Sequence, residues 1–216
     1  MKNTILCALA FAAASVTSSA MNVTYSTSVN WNCNGVSGCA VVGNDLTIND
    51  LILRYIPNTG NTVNAPAAPG FTGANFGDLI ALCAGTGDCS ALNDITGVLI
   101  TVTVSQTVPF VQSTQFTGVL GGQISNTQSL SPASVVFNPL TTSVTDGVSV
   151  TVNYFLQQPN FPTNGYILNS INDNSATSFQ GAINTDSIPE PSTIALIGLG
   201  LLAVGLRRRQ ADVDPR

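Results

Sequence analysis

Val98-Leu99-Ile100-Thr101-Val102-Thr103-Val104-Ser105 alternates apolar and polar character from Ile100 onward, after an apolar start. Successive side chains of an extended chain point to opposite faces. Val98, Ile100, Val102 and Val104 therefore share one face, with Leu99, Thr101, Thr103 and Ser105 on the other. That pattern is a half-buried antiparallel strand, and its β-branched residues suit a pleated surface.

Strand-like runs recur on both sides of it. Upstream, residues 24–31 place Tyr25, Thr27, Val29 and Trp31 on one face, and residues 46–56 form an apolar-rich run closed by Pro57-Asn58-Thr59-Gly60. Downstream, residues 115–125, 133–137, 141–145, 148–156, 165–171 and 178–183 complete the set. Asp146-Gly147 has the composition of a two-residue hairpin turn between Thr145 and Val148. Residues 61–77 hold Pro66 and Pro69, show little periodicity and read as a long surface loop. Residues 77–84 admit a single helical turn capped by Asp78. About nine strands with no long helix predict an all-β fold over residues 21–186. The expected architecture is an antiparallel β-sandwich, with the jelly roll as a variant. A parallel α/β fold would need crossover helices, and the pattern supplies none.

Charge narrows the function classes. Between residues 21 and 187 the sole cation is Arg54, against eight aspartates. Phosphate binding needs cationic neutralisation, so nucleic acid is excluded as a partner. Thr, Ser, Asn and Gly dominate the polar positions, as on an extracellular β-protein, while Val, Ile, Leu and Phe recur too often for a disordered chain.

Both ends of the chain read as addresses. Met1-Lys2-Asn3-Thr4 followed by the apolar residues 5–14 and Ser18-Ser19-Ala20 has the layout of a signal peptide, residues 1–20, cut by signal peptidase after Ala20. At the other end stand Pro189-Glu190-Pro191, an uncharged apolar run at 194–206, and Arg207-Arg208-Arg209. Prolines bar the first unit from a regular helix, and arginines hold the far end at a cytoplasmic face. As a helix, residues 193–206 rise roughly 21 Å. That is short of a hydrocarbon core about 30 Å thick, so the expected hydrophobic helix is a transient span. Residues 210–216 would follow as a cytoplasmic tail.

This C-terminal segment, about residues 187–209, resembles the PEP-CTERM sorting domain of exopolysaccharide-producing bacteria with two membranes. The resemblance implies transient anchoring in the inner membrane. It also implies recognition by exosortase, a membrane-embedded transpeptidase-like enzyme that cuts near Pro189-Glu190-Pro191. Asp186-Ser187-Ile188 leads straight from the last strand into the signal.

Export gives the cysteines their meaning. Cys33 and Cys39 bracket one Gly-containing loop, Cys83 and Cys89 a similar one. An even count in an oxidising compartment predicts two disulfides, and local pairing within each loop is the expectation. Cross-pairing and a four-thiolate zinc site are the alternatives, though the C-x5-C spacing is wider than a usual structural zinc pair.

Catalytic residue types are scarce. The chain has no histidine, and its one glutamate, Glu190, lies in the sorting unit. Ser-His-Asp and Cys-His arrangements are excluded, and a two-carboxylate site would rest on aspartates alone. The expectation is a non-catalytic protein with no cofactor. Asn172-Asp173-Asn174-Ser175 offers hard oxygens that suit calcium, with Asp173 as the candidate ligand, and equally suits a polar turn. Trp31 and Tyr25 are the candidates for stacking on a sugar ring, with a core role as the alternative. The overall expectation is an exported cell-surface or matrix protein associated with exopolysaccharide or biofilm. The alternative is a carbohydrate-binding module for that polymer.

Overall fold

A computed structural model describes residues 20–85, 89–126, 133–148, 150–157, 165–171 and 175–187, together with Gly200. A compact unit spans Ala20–Ile188. Its strands, in chain order, are β1 (Met21–Asn32), β2 (Cys39–Val42), β3 (Asp45–Ile48), β4 (Leu51–Ile56), β5 (Asn61–Ala65), β6 (Thr72–Cys83), β7 (Asn93–Asp94) and β8 (Leu99–Val108). There follow β9 (Gln112–Gly121), β10 (Gln123–Ile124), β11 (Ser134–Phe137), β12 (Thr141–Thr145), β13 (Val150–Leu156), β14 (Tyr166–Ile167) and β15 (Thr177–Ser187). Six of them form one sheet in the order β14-β11-β9-β8-β1-β5, and seven form a second, β12-β13-β15-β6-β4-β3-β2. β7 and β10 make a separate two-stranded pair. Every strand pairing is antiparallel, and the two large sheets form half-barrels. The all-β antiparallel expectation stands. The expected C-terminal helix falls, except for Gly200, outside the described residues.

The period-two pattern decides what is buried. Val98, Ile100, Val102 and Val104 are each at most 1% exposed, as the opening octapeptide predicts. Val23, Tyr25 and Trp31 are buried from β1, and Val152, Tyr154 and Leu156 from β13. Each large apolar side chain so buried contributes roughly 1.5–3 kcal/mol. Aromatic rings join the two sheets. Tyr25 lies 5.8 Å from Phe76 and 6.3 Å from Tyr154, and Phe76 lies 5.6 Å from Phe116. A second group sets Phe179 5.1 Å from Phe137 and 5.2 Å from Tyr166.

Polar tips of these rings cross between the sheets. Tyr25 donates its hydroxyl to the carbonyl of Asn75 at 2.9 Å, and Tyr166 donates to the carbonyl of Gln180 at 2.6 Å. From the other side, Tyr154 donates to Gln106 Oε1 at 2.5 Å, and Gln106 Nε2 in turn donates to the carbonyl of Phe110 at 3.1 Å. Burial raises the pKa of all three phenols, Tyr154 being raised further by Tyr25, so each remains a protonated donor.

Four expectations are corrected. The run 46–56 is two strands, because Asn49 takes a positive φ of 54° and turns the chain between Ile48 and Leu51. The predicted surface loop 61–77 contains β5 and the start of β6, with Pro66 and Pro69 confined to the connection. Residues 77–83 continue β6, and no helical turn forms over 77–84. Gly77, at φ 115°, sits in a bulge where Ser178 pairs Asp78 and Gln180 pairs Asn75. Finally, the Asp146-Gly147 turn is longer than two residues, since Thr145 pairs with Thr151. There Asp146 Oδ1 accepts from the amides of Val148 and Val150, at 2.9 and 3.0 Å, and holds the wider loop.

Gly181 permits the close packing of β15 against β13. A Cβ there would stand 1.9 Å from the Phe155 carbonyl oxygen and 2.5 Å from the Phe76 ring.

Replacing Tyr154 by Phe leaves the buried Gln106 oxygen without its donor. We expect a loss of about 1–3 kcal/mol in urea unfolding at unchanged m-value. The raised phenol pKa values also carry a sign. Stability is full below ~10, the ordinary tyrosine value, and falls as pH rises beyond it, because the unfolded chain ionises first. The urea midpoint should hold from pH 8 to about 9.5 and then drop, less steeply in Tyr154→Phe.

Candidate functional site

The aromatic pair expected to stack on sugars is internal. Trp31 is 4% exposed and donates its indole N–H to the carbonyl of Asn44 at 3.0 Å, and Tyr25 is fully buried. Neither offers a ring face to solvent, so their role as a binding platform is corrected to that of core residues. Alternation along β1 is the cause: positions 23, 25, 27 and 31 turn toward the opposite sheet. Tyr55, Tyr154 and Tyr166 are buried as well.

The cysteines pair locally, Cys33 with Cys39 and Cys83 with Cys89. The sheet register shows what this does. Cys39 pairs Ile48, Ile48 pairs Leu51, and Leu51 pairs Cys83, so a single row across four strands ends in a disulfide at both sides. The Asn49-Asp50 turn lies between the two loops. Its Asn49 amide donates to the Gly38 carbonyl at 3.4 Å, and Asp50 Oδ1 accepts from Asn93 Nδ2 at 3.1 Å. Asp50, Cys83 and Cys89 come within 4.8 Å of one another. Both of those sulfurs are in a disulfide, which leaves no thiolate for a metal.

An open groove of about 400 Å³ lies on the outer face of the seven-stranded sheet. Its position follows from the strand pattern. Val152, Tyr154 and Leu156 of β13 face inward, so Thr151, Asn153 and Phe155 face out. Register then sets Ser143 beside Asn153 and Asn153 beside Asn184, with Thr151 beside Asp186 in the adjoining row. Asn153 Nδ2 donates to Asn184 Oδ1 and to Asp186 Oδ2, both at 3.0 Å. Asn184 is 3% exposed and forms the floor. Phe155 lies in the lining, edge-on to Phe71 with ring centroids 5.2 Å apart, and Phe71 is 57% exposed.

This arrangement can recognise hydroxyl groups. With its amide hydrogens held by Asn184 and Asp186, Asn153 keeps its carbonyl oxygen as an acceptor in a fixed place. Asp186 has a second carboxylate oxygen, and Ser143 and Thr141 bring hydroxyls that donate or accept. Among the described residues lining the groove, Asp186 is the one titratable side chain. Elsewhere on the same sheet, Arg54 Nε and Nη2 donate to the two carboxylate oxygens of Asp45 at 2.9 and 2.8 Å. That hydrogen bond, more than its charge alone, holds the Asp45 carboxyl below the usual carboxylate range.

Asp88, Asp173, Pro189, Glu190, Pro191, Arg207, Arg208 and Arg209 lie outside the described residues, as does the proposed leader up to Ser19. Among the described residues no helix is long and apolar enough to cross a membrane.

Strand β15 stays paired to Ser187, which is opposite Val150, and Ile188 alone then precedes Pro189. A family model described as the PEP-CTERM protein-sorting motif matches residues 187–209. The chain is thus an exported protein, held transiently in a membrane before processing. More particularly, it carries a PEP-CTERM sorting motif, whose processing partner is exosortase. No curated protein and no solved structure matches the chain.

Reading the sequence missed Phe155, Asn153, Asn184 and Asp186 as a group. Alternation along 148–156 already turned Asn153 and Phe155 away from Val152 and Tyr154. Nothing local, though, announces that residues 31 and 33 positions further on will lie beside them.

Removing either disulfide by paired Cys→Ser substitution should cost roughly 2 kcal/mol, as expected for closing so short a loop. The double removal should show coupling, because both loops brace the Asn49-Asp50 turn. Urea titration of the single and double removals measures both effects.

Proposed function

We propose that this is a non-catalytic envelope or matrix protein, cleaved by exosortase near Pro189-Glu190-Pro191 and retained among extracellular polysaccharide. The observation that carries this reading is the sorting motif itself, which begins at the last paired residue of a disulfide-stapled β-unit. Export through a leader removed by signal peptidase fits the two disulfides, which persist in an oxidising compartment.

A passive role is supported by the residue inventory. With no histidine and a single glutamate, placed in the sorting unit, the carboxylate and imidazole bases of residues 21–187 reduce to aspartates. The tyrosine phenols are buried with raised pKa values, which removes them as acid–base groups near neutrality. A second reading, a carbohydrate-binding module, is favoured by one observation: Phe155 and the locked amide of Asn153 share an open groove.

Substituting Ala for Pro189, Glu190 and Pro191 together should leave an unprocessed, membrane-retained form in fractionated cells. Normal maturation of that variant overturns the exosortase assignment.

A further inference from the structure

We propose that the outer groove of the seven-stranded sheet is a saccharide subsite that accepts neutral sugar chains and rejects anionic ones. This deepens the second reading above, on which it rests, by naming the ligand class from the chemistry of the lining.

Three features point to a sugar. The groove is open and its volume falls in the range of small-molecule sites, about 300–1,000 Å³. Phe155 offers an aromatic surface beside hydroxyl and amide groups, and an aromatic face attracts the positively polarised C–H groups of a pyranose ring. Its orientation is supported by Phe71, 5.2 Å away edge-on. Next to it the amide of Asn153 is fixed by two hydrogen bonds of 3.0 Å, so its remaining acceptor is positioned before any ligand arrives. Pre-positioned groups lose less entropy on binding. A peptide adding as a strand is a poorer fit, because β13 and β15 are already paired along both edges.

Charge decides the class of sugar. Among the described residues the lining contains one carboxylate, Asp186, and no cation. Across residues 21–187 the one positive side chain is Arg54, engaged with Asp45 on the β3–β4 hairpin. A uronate or sulfated unit in the groove would meet Asp186 with no counter-charge, and like charges brought together disfavour the wrong partner. Neutral hydroxyls, by contrast, can donate to the Asp186 carboxylate, a charge-assisted bond stronger than a neutral one.

The test uses the full-length protein in a zwitterionic detergent, titrated calorimetrically with oligomers of β-linked glucose, oligomers of N-acetylglucosamine and oligogalacturonate. We expect at least one neutral series to bind, with oligogalacturonate about tenfold weaker or undetectable. Phe155→Ala and Asn153→Ala should each weaken neutral binding about tenfold, whereas Asp186→Asn should narrow the gap between neutral and acidic chains. Emission from Trp31, buried and remote in role, should be unchanged in these variants and on ligand addition. Should Phe155→Ala not fold, the milder Phe155→Leu and a blocking Ser143→Arg at an exposed position serve instead. Binding of none of the three series, oligogalacturonate binding as tightly as the neutral chains, or full affinity in folded Phe155 and Asn153 variants would each overturn the proposal. Processing of the Phe155→Ala precursor in cells is followed in parallel. Loss of sugar binding with normal maturation bears on the groove alone, and a maturation defect in the Pro189-Glu190-Pro191 variant bears on the sorting reading alone.

Discussion

Four amphipathic aromatic side chains hold the two sheets to each other, and most of what the surface can do follows from that. Tyr25, Trp31 and Tyr166 start in one sheet and end their N–H or O–H on the other sheet or the turn that feeds it, while Tyr154 makes the reverse crossing to Gln106. Each brings a large apolar area into the core and closes a polar tip that would otherwise be stranded there. In a domain with almost no charge, such bonds fix the sheets' relative register more sharply than apolar contact does. The consequence is that the aromatics richest in binding chemistry are spent inside. What remains outside is phenylalanine, hydroxyl and amide.

That allocation explains how far the sequence could be read. Residues 98–105 were legible because three inward valines and one isoleucine keep one phase without a break. In the run 46–56 the phase does break: Leu46 and Ile48 face in, then Leu51, Leu53 and Tyr55. A three-residue step between buried positions signals a turn, and Asn49-Asp50 supplies it. Residues 61–77 were opaque for a different reason. Their strands are rich in Asn, Gly and Ala, which are depleted in strands, and two prolines draw the eye to the connection. β6 is extended because β4 and β15 hold it on both sides, a long-range fact that no local window contains. Trp31 and Tyr25 could be placed on the correct face of β1 from sequence, but which face turns inward depended on the partner sheet.

The cysteine loops show tertiary register completing a local prediction. Spacing suggested two small rings. Only the pairing row Cys39–Ile48–Leu51–Cys83 reveals that they clamp opposite ends of one line of residues and brace one shared turn. Export makes such staples persistent, which suits a domain whose described surface has few ion pairs to offer; even the bidentate Arg54–Asp45 pair is exposed, and solvent screens it.

The polar row on the outer face is then the feature that stability least explains. β13 and β15 are joined by a backbone ladder from Val150–Ser187 to Leu156–Gly181 and need no help from side chains. Cross-strand polar pairs on such a face contribute only about 0.2–1 kcal/mol. Threonine or serine, abundant elsewhere on this surface, would serve as well for solubility. Instead the row combines two asparagines and an aspartate, with one amide held by both neighbours, beside an outward phenylalanine that hydration disfavours. A fixed hydrogen-bonding edge next to a half-buried ring is a costly arrangement for a wall and a useful one for holding a hydroxylated chain.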